Sequence, residues 1–377
     1  MASNNSAGKT PNLKRALLQF GSVVLGLAVF IGIGFFLRRE GGPLRPTPSN
    51  AAKVDTVAAE RQRLTARLDD MRFSGTVLIV TDGHEHLAVS RGYADEPTRR
   101  KNTLHTAYEI DSLQKSLTAA LVMHEVDHGR LNLTDHLAKY YPQVPGAKDI
   151  TLRDMLDMKS GLSVKKFPQP KYTSDQQVVK AYIHRVTYTK TMRGQWWYQP
   201  VNYNLLSGII AMVSKRPYAD GLEDHVLKPL RLQHTHFAYL PDAADATGYG
   251  WDSKRNQPNY AGPYRTTATQ QHYELGTGQL FMTPMDLYHA DRAIVNGKLL
   301  GTYDSGILHQ PGTASHYGGG LYNGPQFMYG NGYGYGFSIF MRISKNGRDA
   351  VIVMSNTDDP HGQNKHLAAQ LTQQYVN

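Results

Sequence analysis

The chain has no cysteine among its 377 residues. That absence removes disulfide bridges, cysteine-ligated zinc and thiol catalysis together. An outward-facing chain of this kind fits an organism that exports proteins without relying on disulfides. There is also no run of Lys and Arg long enough to form a nucleic-acid-binding tail, so nucleic acid is not an expected partner. No internal repeat is present, and the Gly-rich stretch from Tyr329 to Gly336 lacks the strand–GxxxxGK–helix pattern of a phosphate loop. What remains is a hydrophobic content of 40% and a net charge of +10. The first is ample for one large domain with a core. The second points to an anionic partner, either a membrane surface or a polyanionic wall polymer.

One long apolar run stands out near the N-terminus. Ala16 to Leu37 carries no charge and, at about 1.5 Å per residue, would span roughly 33 Å, enough for a bilayer core. Bulky Phe35-Phe36-Leu37 and basic Arg38-Arg39 follow it instead of a small-residue cleavage site, so it reads as an uncleaved signal-anchor. The expected order is a cytoplasmic tail at 1–15, a transmembrane helix at 16–37, a Gly- and Pro-rich linker at 38–54 and an extracellular domain at 55–377. Within that domain an amphipathic helix is predicted over Val57 to Met71. A β-hairpin follows, with Phe73 to Val80 as one arm, Asp82-Gly83 as the turn and Leu87 to Tyr93 as the other arm. Helices are predicted from Ser112 to Glu125, with Asp111 as a cap, and over Leu152–Met158, Tyr203–Val213 and Gln363–Val376. Residues 164–195 are polar, basic and poorly patterned. Gly-rich segments between Tyr317 and Gly336 lead into the apolar Phe337 to Met341, and a buried strand occupies Asp349 to Ser355. Strands at both ends with helices between them predict an α+β domain: an antiparallel sheet flanked by helices, with a helical insertion.

Ser-x-x-Lys occurs three times, at Ser6/Lys9, Ser112/Lys115 and Ser163/Lys166. Only Ser112 opens a strong helix, where the i, i+3 spacing puts Oγ and Nζ on one face. A helix N-terminus offers backbone N–H to a developing oxyanion, and burial of a lysine favours the neutral amine that can accept the serine proton. The bland alternative is a capping serine and a solvated lysine. His124-Glu125-Val126-Asp127-His128 matches the H-E-x-x-H pattern of zinc proteases. Gly129 ends the helix directly after it, and Leu131 and Thr134 stand where the extended motif has its glycine and third histidine. These are helix-end residues, and no metal or other cofactor is expected. Trp196-Trp197-Tyr198 is either an aromatic core cluster or a groove wall beside a reactive tyrosine.

Taken in order, several segments resemble the serine β-lactamase and penicillin-binding-protein superfamily in its class-C-like branch. Phe73-Ser74-Gly75-Thr76-Val77-Leu78 is similar to its first strand, and Ile110-Asp111-Ser112-Leu113-Gln114-Lys115 to its first motif. Gly129 to Asp135, Tyr140-Tyr141-Pro142, Ile150 to Leu156 and Ser160-Gly161-Leu162 resemble the run that follows. Lys228 to Leu232 and Gly278 to Thr283 match later landmarks. The resemblance covers Phe73 to Asn377. It implies a β-lactamase/DD-peptidase-like fold with Ser112 as nucleophile and Lys115 as its base. Tyr198 keeps the tyrosine of the second motif, where it implies shared proton transfer. Pro200 replaces the motif's asparagine, which holds a substrate amide in the family.

The third motif aligns with Gly330-Asn331-Gly332, so the family's Lys or His is missing, although the Tyr333 amide could still serve as an oxyanion donor. Loss of that cation removes a charge-assisted contact to a substrate carboxylate worth about 1.5–3 kcal/mol. D-alanyl esters of teichoic acid carry no such carboxylate. The cell-surface teichoic-acid D-alanine esterases, which this chain resembles most in character, share its anchor, Ser-x-x-Lys and retained tyrosine. The expected substrate is therefore an anionic wall polymer such as lipoteichoic acid. Lys165, Lys166 and Arg193, with Trp196 and Trp197, are the expected walls of its cleft, and Lys171, Lys180, Arg185 and Lys190 add to the basic segment. Alternative readings are a low-activity D-Ala-D-Ala carboxypeptidase, in which another cation such as Lys165 or Arg193 fills the gap, and a decayed protein that binds wall polymer without cleaving it.

Overall fold

Seven antiparallel strands form the sheet that backs the molecule. In chain order they are β1 (Gly75–Thr81), β2 (His84–Arg91), β3 (Tyr317–Gly318), β4 (Leu321–Asn323), β5 (Phe327–Gly334), β6 (Phe337–Ser344) and β7 (Ala350–Ser355). Their spatial order is β3-β4-β5-β6-β7-β1-β2. The sheet is thus closed by pairing the N-terminal hairpin with the C-terminal strands, through the register Gly75↔Ser355 to Val80↔Ala350. The computed structural model describes residues 50–300, 302–310 and 315–376, with a compact unit from Val54 onward. The predicted tail, membrane segment and most of the linker lie outside these residues. Among the described residues no helix is long and apolar enough to cross a membrane.

The central strands are apolar on both faces because both faces are covered, and alternate residues enter different cores. Leu78, Val80, Ile352 and Met354 face the large core, whereas Val77, Ile79, Val351 and Val353 face a smaller one. The smaller core is closed by Leu64 and Leu68 of α1 (Asn50–Asp70) and by Leu367 and Leu371 of the C-terminal helix Gln363–Tyr375. The large core surrounds α2 (Gln114–Asp127), whose residues Gln114 to Met123 are all buried. A helix enclosed on every side shows no amphipathic stripe, and its polar side chains must find internal partners. Thr118 donates to the Gly276 carbonyl at 2.8 Å, and Ser116 donates to Asp291 Oδ1 at 2.7 Å.

Several boundaries differ from expectation. Helix α1 begins at Asn50, inside the predicted linker, where Ala and long straight-chain residues prolong the helix with nothing to stop it. Within the segment 164–195, Ser174 accepts the Gln177 N–H and opens a helix at Asp175–Ile183. The Gly-rich run from Tyr317 to Gly336 holds three strands of the sheet.

Asp291 lies in the helix Pro284–Val295, packed against α2, with 0% exposure. Burial raises its carboxyl to about 7, with the Ser116 hydrogen bond opposing the shift. The folded chain therefore holds a proton that the unfolded chain has lost at pH 4–7. Stability should fall as pH rises through that window, by up to about 1.4 kcal/mol per pH unit from this group. Urea denaturation across pH 4 to 8 should show that slope flattened in Asp291→Asn; an unchanged slope would remove Asp291 as its source.

Candidate active site

Ser112 sits on a single 3-10 turn, Asp111–Leu113, that runs directly into α2. Asp111 is not the helix cap it was expected to be, since neither the turn nor α2 has a side-chain cap. Its φ of +46°, unfavourable for a residue with a Cβ, directs the carboxyl away from the helix amides and into the protein. One turn on, Lys115 is 1% exposed. Its Nζ donates to Ser112 Oγ at 2.9 Å and to the Thr277 carbonyl at 3.3 Å. Ser112 itself stays partly exposed. The serine thus lies on the solvent side of the pair and the amine on the inside. Tyr198 joins them: Lys115 Nζ is 5.3 Å from the centre of its ring, which Tyr317 holds edge-on at 5.8 Å. Pro200 stands at the N-cap of the helix Val201–Ser214, where the lack of an N–H costs nothing.

Gly330, Asn331, Gly332 and Tyr333 all lie on β5, which packs against the Ser112 turn. A Cβ at Gly332 would collide with the Ile110 carbonyl oxygen, and one at Gly334 with Asp111 Oδ1. Glycine on this face lets the strand backbone approach the turn, which places the Tyr333 residue between two points of contact. Asn331 faces the other way and accepts from Arg342 Nη1 at 3.1 Å. Arg342 is buried, also donates to the Gly330 carbonyl, and lies over the Tyr329 ring at 4.9 Å. This cation beside the third motif had no signal in the sequence.

The predicted basic wall is only partly assembled. Lys165 and Lys166 line a cleft of about 720 Å³ together with Gln199, Asn204, Glu274 and Tyr335. Arg193, Trp196 and Trp197 are not among its lining residues. Arg193 and Trp196 are exposed, and Trp196 lies 6.2 Å from the Tyr322 ring. Arg185 covers the Phe167 ring at 4.5 Å and serves packing. The His124–His128 pair does not converge on a point. The two rings lie 4.2 Å apart, His124 stacks on His225 at 3.8 Å, and Glu125 is held in a fork by Arg130.

Three carboxylates gather beside the turn: Glu109, Asp111 and Glu274. Burial pushes Glu109 up to about 8, and repulsion from Glu274 and Asp245 adds to it. Burial, then repulsion from Glu109 and Glu274, holds Asp111 well above the usual carboxylate range. Sequence reading missed Glu274, whose only local mark is its place two residues before Gly276-Thr277-Gly278.

Residues 60–375 match the family model described as beta-lactamase. The putative penicillin-binding protein PbpX of Bacillus subtilis is 29% identical over 364 residues, covering 91% of this chain and 90% of its own. A teichoic acid D-alanine hydrolase of Staphylococcus aureus is 29% identical over 292 residues, covering 74% and 70%. The crystal structure of FmtA from Staphylococcus aureus superposes with a TM-score of 0.73 at 25% identity, covering 87% of this chain and 97% of that one. D-amino acid amidase from Ochrobactrum anthropi shares the fold, with a TM-score of 0.68 at 20% identity over 85% of this chain and 97% of its own.

Adding one methyl group at Gly332 must push β5 off the turn. Gly332→Ala is expected to slow labelling of Ser112 by a fluorophosphonate about 100-fold, the scale of loss from small misplacement of reacting groups. Labelling is read by intact mass beside a thermal melt. Labelling at the wild-type rate would show that the close approach does not position the nucleophile.

Proposed function

The chain belongs to the beta-lactamase family of serine hydrolases, and from that premise we propose that it removes D-alanine from a teichoic acid at the cell surface. The observation that carries this reading is the 2.9 Å contact of Lys115 Nζ with Ser112 Oγ, in a site whose third motif begins with Gly330 in place of a cation. Lys115 takes the Ser112 proton as Oγ attacks the ester carbonyl. The Ser112 and Tyr333 amides stabilise the oxyanion. The C–O bond to the polymer breaks, and its alkoxide takes a proton relayed through Lys115 and Tyr198. Water, deprotonated by the same groups, then attacks the acyl-serine and releases D-alanine with Ser112 restored.

Two features support an ester without a carboxylate. Arg342, the buried cation nearest the third motif, is engaged by the Gly330 carbonyl and Asn331. By strand alternation it shares the face of Tyr329 and Asn331, not the glycine face that meets the turn. Exposed Lys165 and Lys166 at the cleft suit a polyphosphate chain, with binding that weakens as salt rises. A teichoic acid D-alanine hydrolase is among the relatives. In this reading residues 1–15 are cytoplasmic, 16–37 cross the membrane, 38–54 link, and 55–377 form the extracellular catalytic domain.

The test is release of D-alanine by the full-length chain in detergent, from D-alanylated lipoteichoic acid and from a peptide ending in D-Ala-D-Ala. Wild type should release it from the polymer alone, and Ser112→Ala should lose at least about 1,000-fold, the scale on which a nucleophile counts. Release from the peptide instead would establish the carboxypeptidase reading, and polymer binding without release the non-enzymatic one.

A further inference from the structure

Resting on the D-alanyl ester reading, we infer that Glu274 binds the ammonium of the acyl group and is the residue that selects an aminoacyl over a neutral acyl substrate. Glu274 lines the cleft that also holds Gln199 and Pro200, the two residues after Tyr198. Its carboxylate is held by two neutral groups: the Thr277 hydroxyl donates to Oε2 at 3.1 Å, and the Tyr335 hydroxyl donates to Oε1 at 3.5 Å. Among the described residues no Lys, Arg or His pairs with it. A partly exposed acid without a counter-charge in a cleft is a place for a cation from outside.

Its position relative to the chemistry is right for an α-ammonium. Thr277, which touches the Glu274 carboxylate, also accepts from Lys115 Nζ through its carbonyl at 3.3 Å. Gly278 alone separates Glu274 from the residue before the nucleophile: a Cβ there would lie 3.2 Å from the Asp111 Cα and 3.7 Å from Glu274 Oε2. In an alanyl ester the ammonium sits on the carbon next to the ester carbonyl, so acid and nucleophile must be close neighbours for one residue to be read while the other reacts.

Behind Glu274 lie two more carboxyl groups, both buried. Glu109 and Asp111 are 2% and 6% exposed, and Glu109 Oε1 and Asp111 Oδ2 have no hydrogen-bond partner among the described residues. The oxygens of Glu274, Tyr335 and Thr277 offer acceptors to the three N–H bonds of an ammonium. A charge-assisted hydrogen bond of this kind is stronger than a neutral one. The cleft is thus bipolar, with lysines at positions 165 and 166 for the phosphates of the chain and a carboxylate for the amine of the acyl group.

The experiment compares two esters of glycerol phosphate, D-alanyl and propionyl, which differ only in the amino group. Full-length wild type and Glu274→Gln are assayed for kcat/KM on each. Wild type should prefer the D-alanyl ester, and Glu274→Gln should reduce that preference at least tenfold, chiefly through KM on the D-alanyl ester. Glu274→Asp, which keeps the charge, should restore part of it and shows that the position tolerates change. An equal loss on both esters would mark Glu274 as a structural support for Tyr335 and Thr277 and overturn the assignment, as would an unchanged preference. A wild type that cleaves the propionyl ester but not the D-alanyl ester overturns the D-alanyl reading itself, and this inference with it.

Discussion

The contact between Lys115 and Ser112 depends on keeping a lysine inside the protein, and much of the architecture follows from that constraint. An amine 1% exposed is costly unless its hydrogens are met. Here the Ser112 hydroxyl and the Thr277 carbonyl meet them. Both acceptors come from outside α2 itself, one from the turn before it and one from the segment that follows Tyr273. Helix α2 must therefore be buried along its length, and its other polar groups need partners from the same surroundings, which Gly276, Tyr218 and Asp291 supply. Those residues belong to the insertion, so the insertion is part of the catalytic scaffold and not an appendage to the sheet.

The same constraint shapes the other wall of the site. The amine lies behind the serine and β5 lies in front, and β5 reaches the turn only by presenting hydrogen atoms where side chains would be. Gly330, Gly332 and Gly334 alternate along that face, while Tyr329, Asn331 and Tyr333 occupy the other. With glycine at position 330 the strand has no side chain where the family's third motif carries its cation. The positive charge nearby, Arg342, is instead held against backbone and Asn331. What the cleft offers beside the Ser112 turn is a carboxylate, Glu274, held only by the neutral hydroxyls of Thr277 and Tyr335. Its charge is opposite in sign to the cation of a carboxylate-binding third motif, and the proposed aminoacyl ester is the substrate that fits that sign.

Much of this was legible in the chain itself. Apolar runs at 76–80 and 350–354 marked the sheet because strands covered on both faces need no alternation. Ser112 and Lys115 were separable from two other Ser-x-x-Lys matches because only theirs opened an apolar helical stretch. Helix–strand order was enough for the α+β class. Local sequence did not disclose that the Gly-Tyr run would be strands, since its β character comes from pairing with β6 and from contact with the turn, both distant in the chain. Asp111 as a helix cap was a local reading, and the packing of β5 overrode it by rotating the residue to a positive φ. The basic residues of 165–193 looked alike in sequence; the fold brings Lys165 and Lys166 to the cleft, uses Arg185 to cover an aromatic ring and leaves Arg193 outside. The sequence by itself determined the candidate Ser112–Lys115 pair and the fold class, because a helical i, i+3 spacing and strand periodicity are short-range properties. Only the tertiary structure decided what stands opposite that pair, because Glu274, Tyr335 and Arg342 come from segments far from Ser112 in the chain and meet it through burial and sheet pairing.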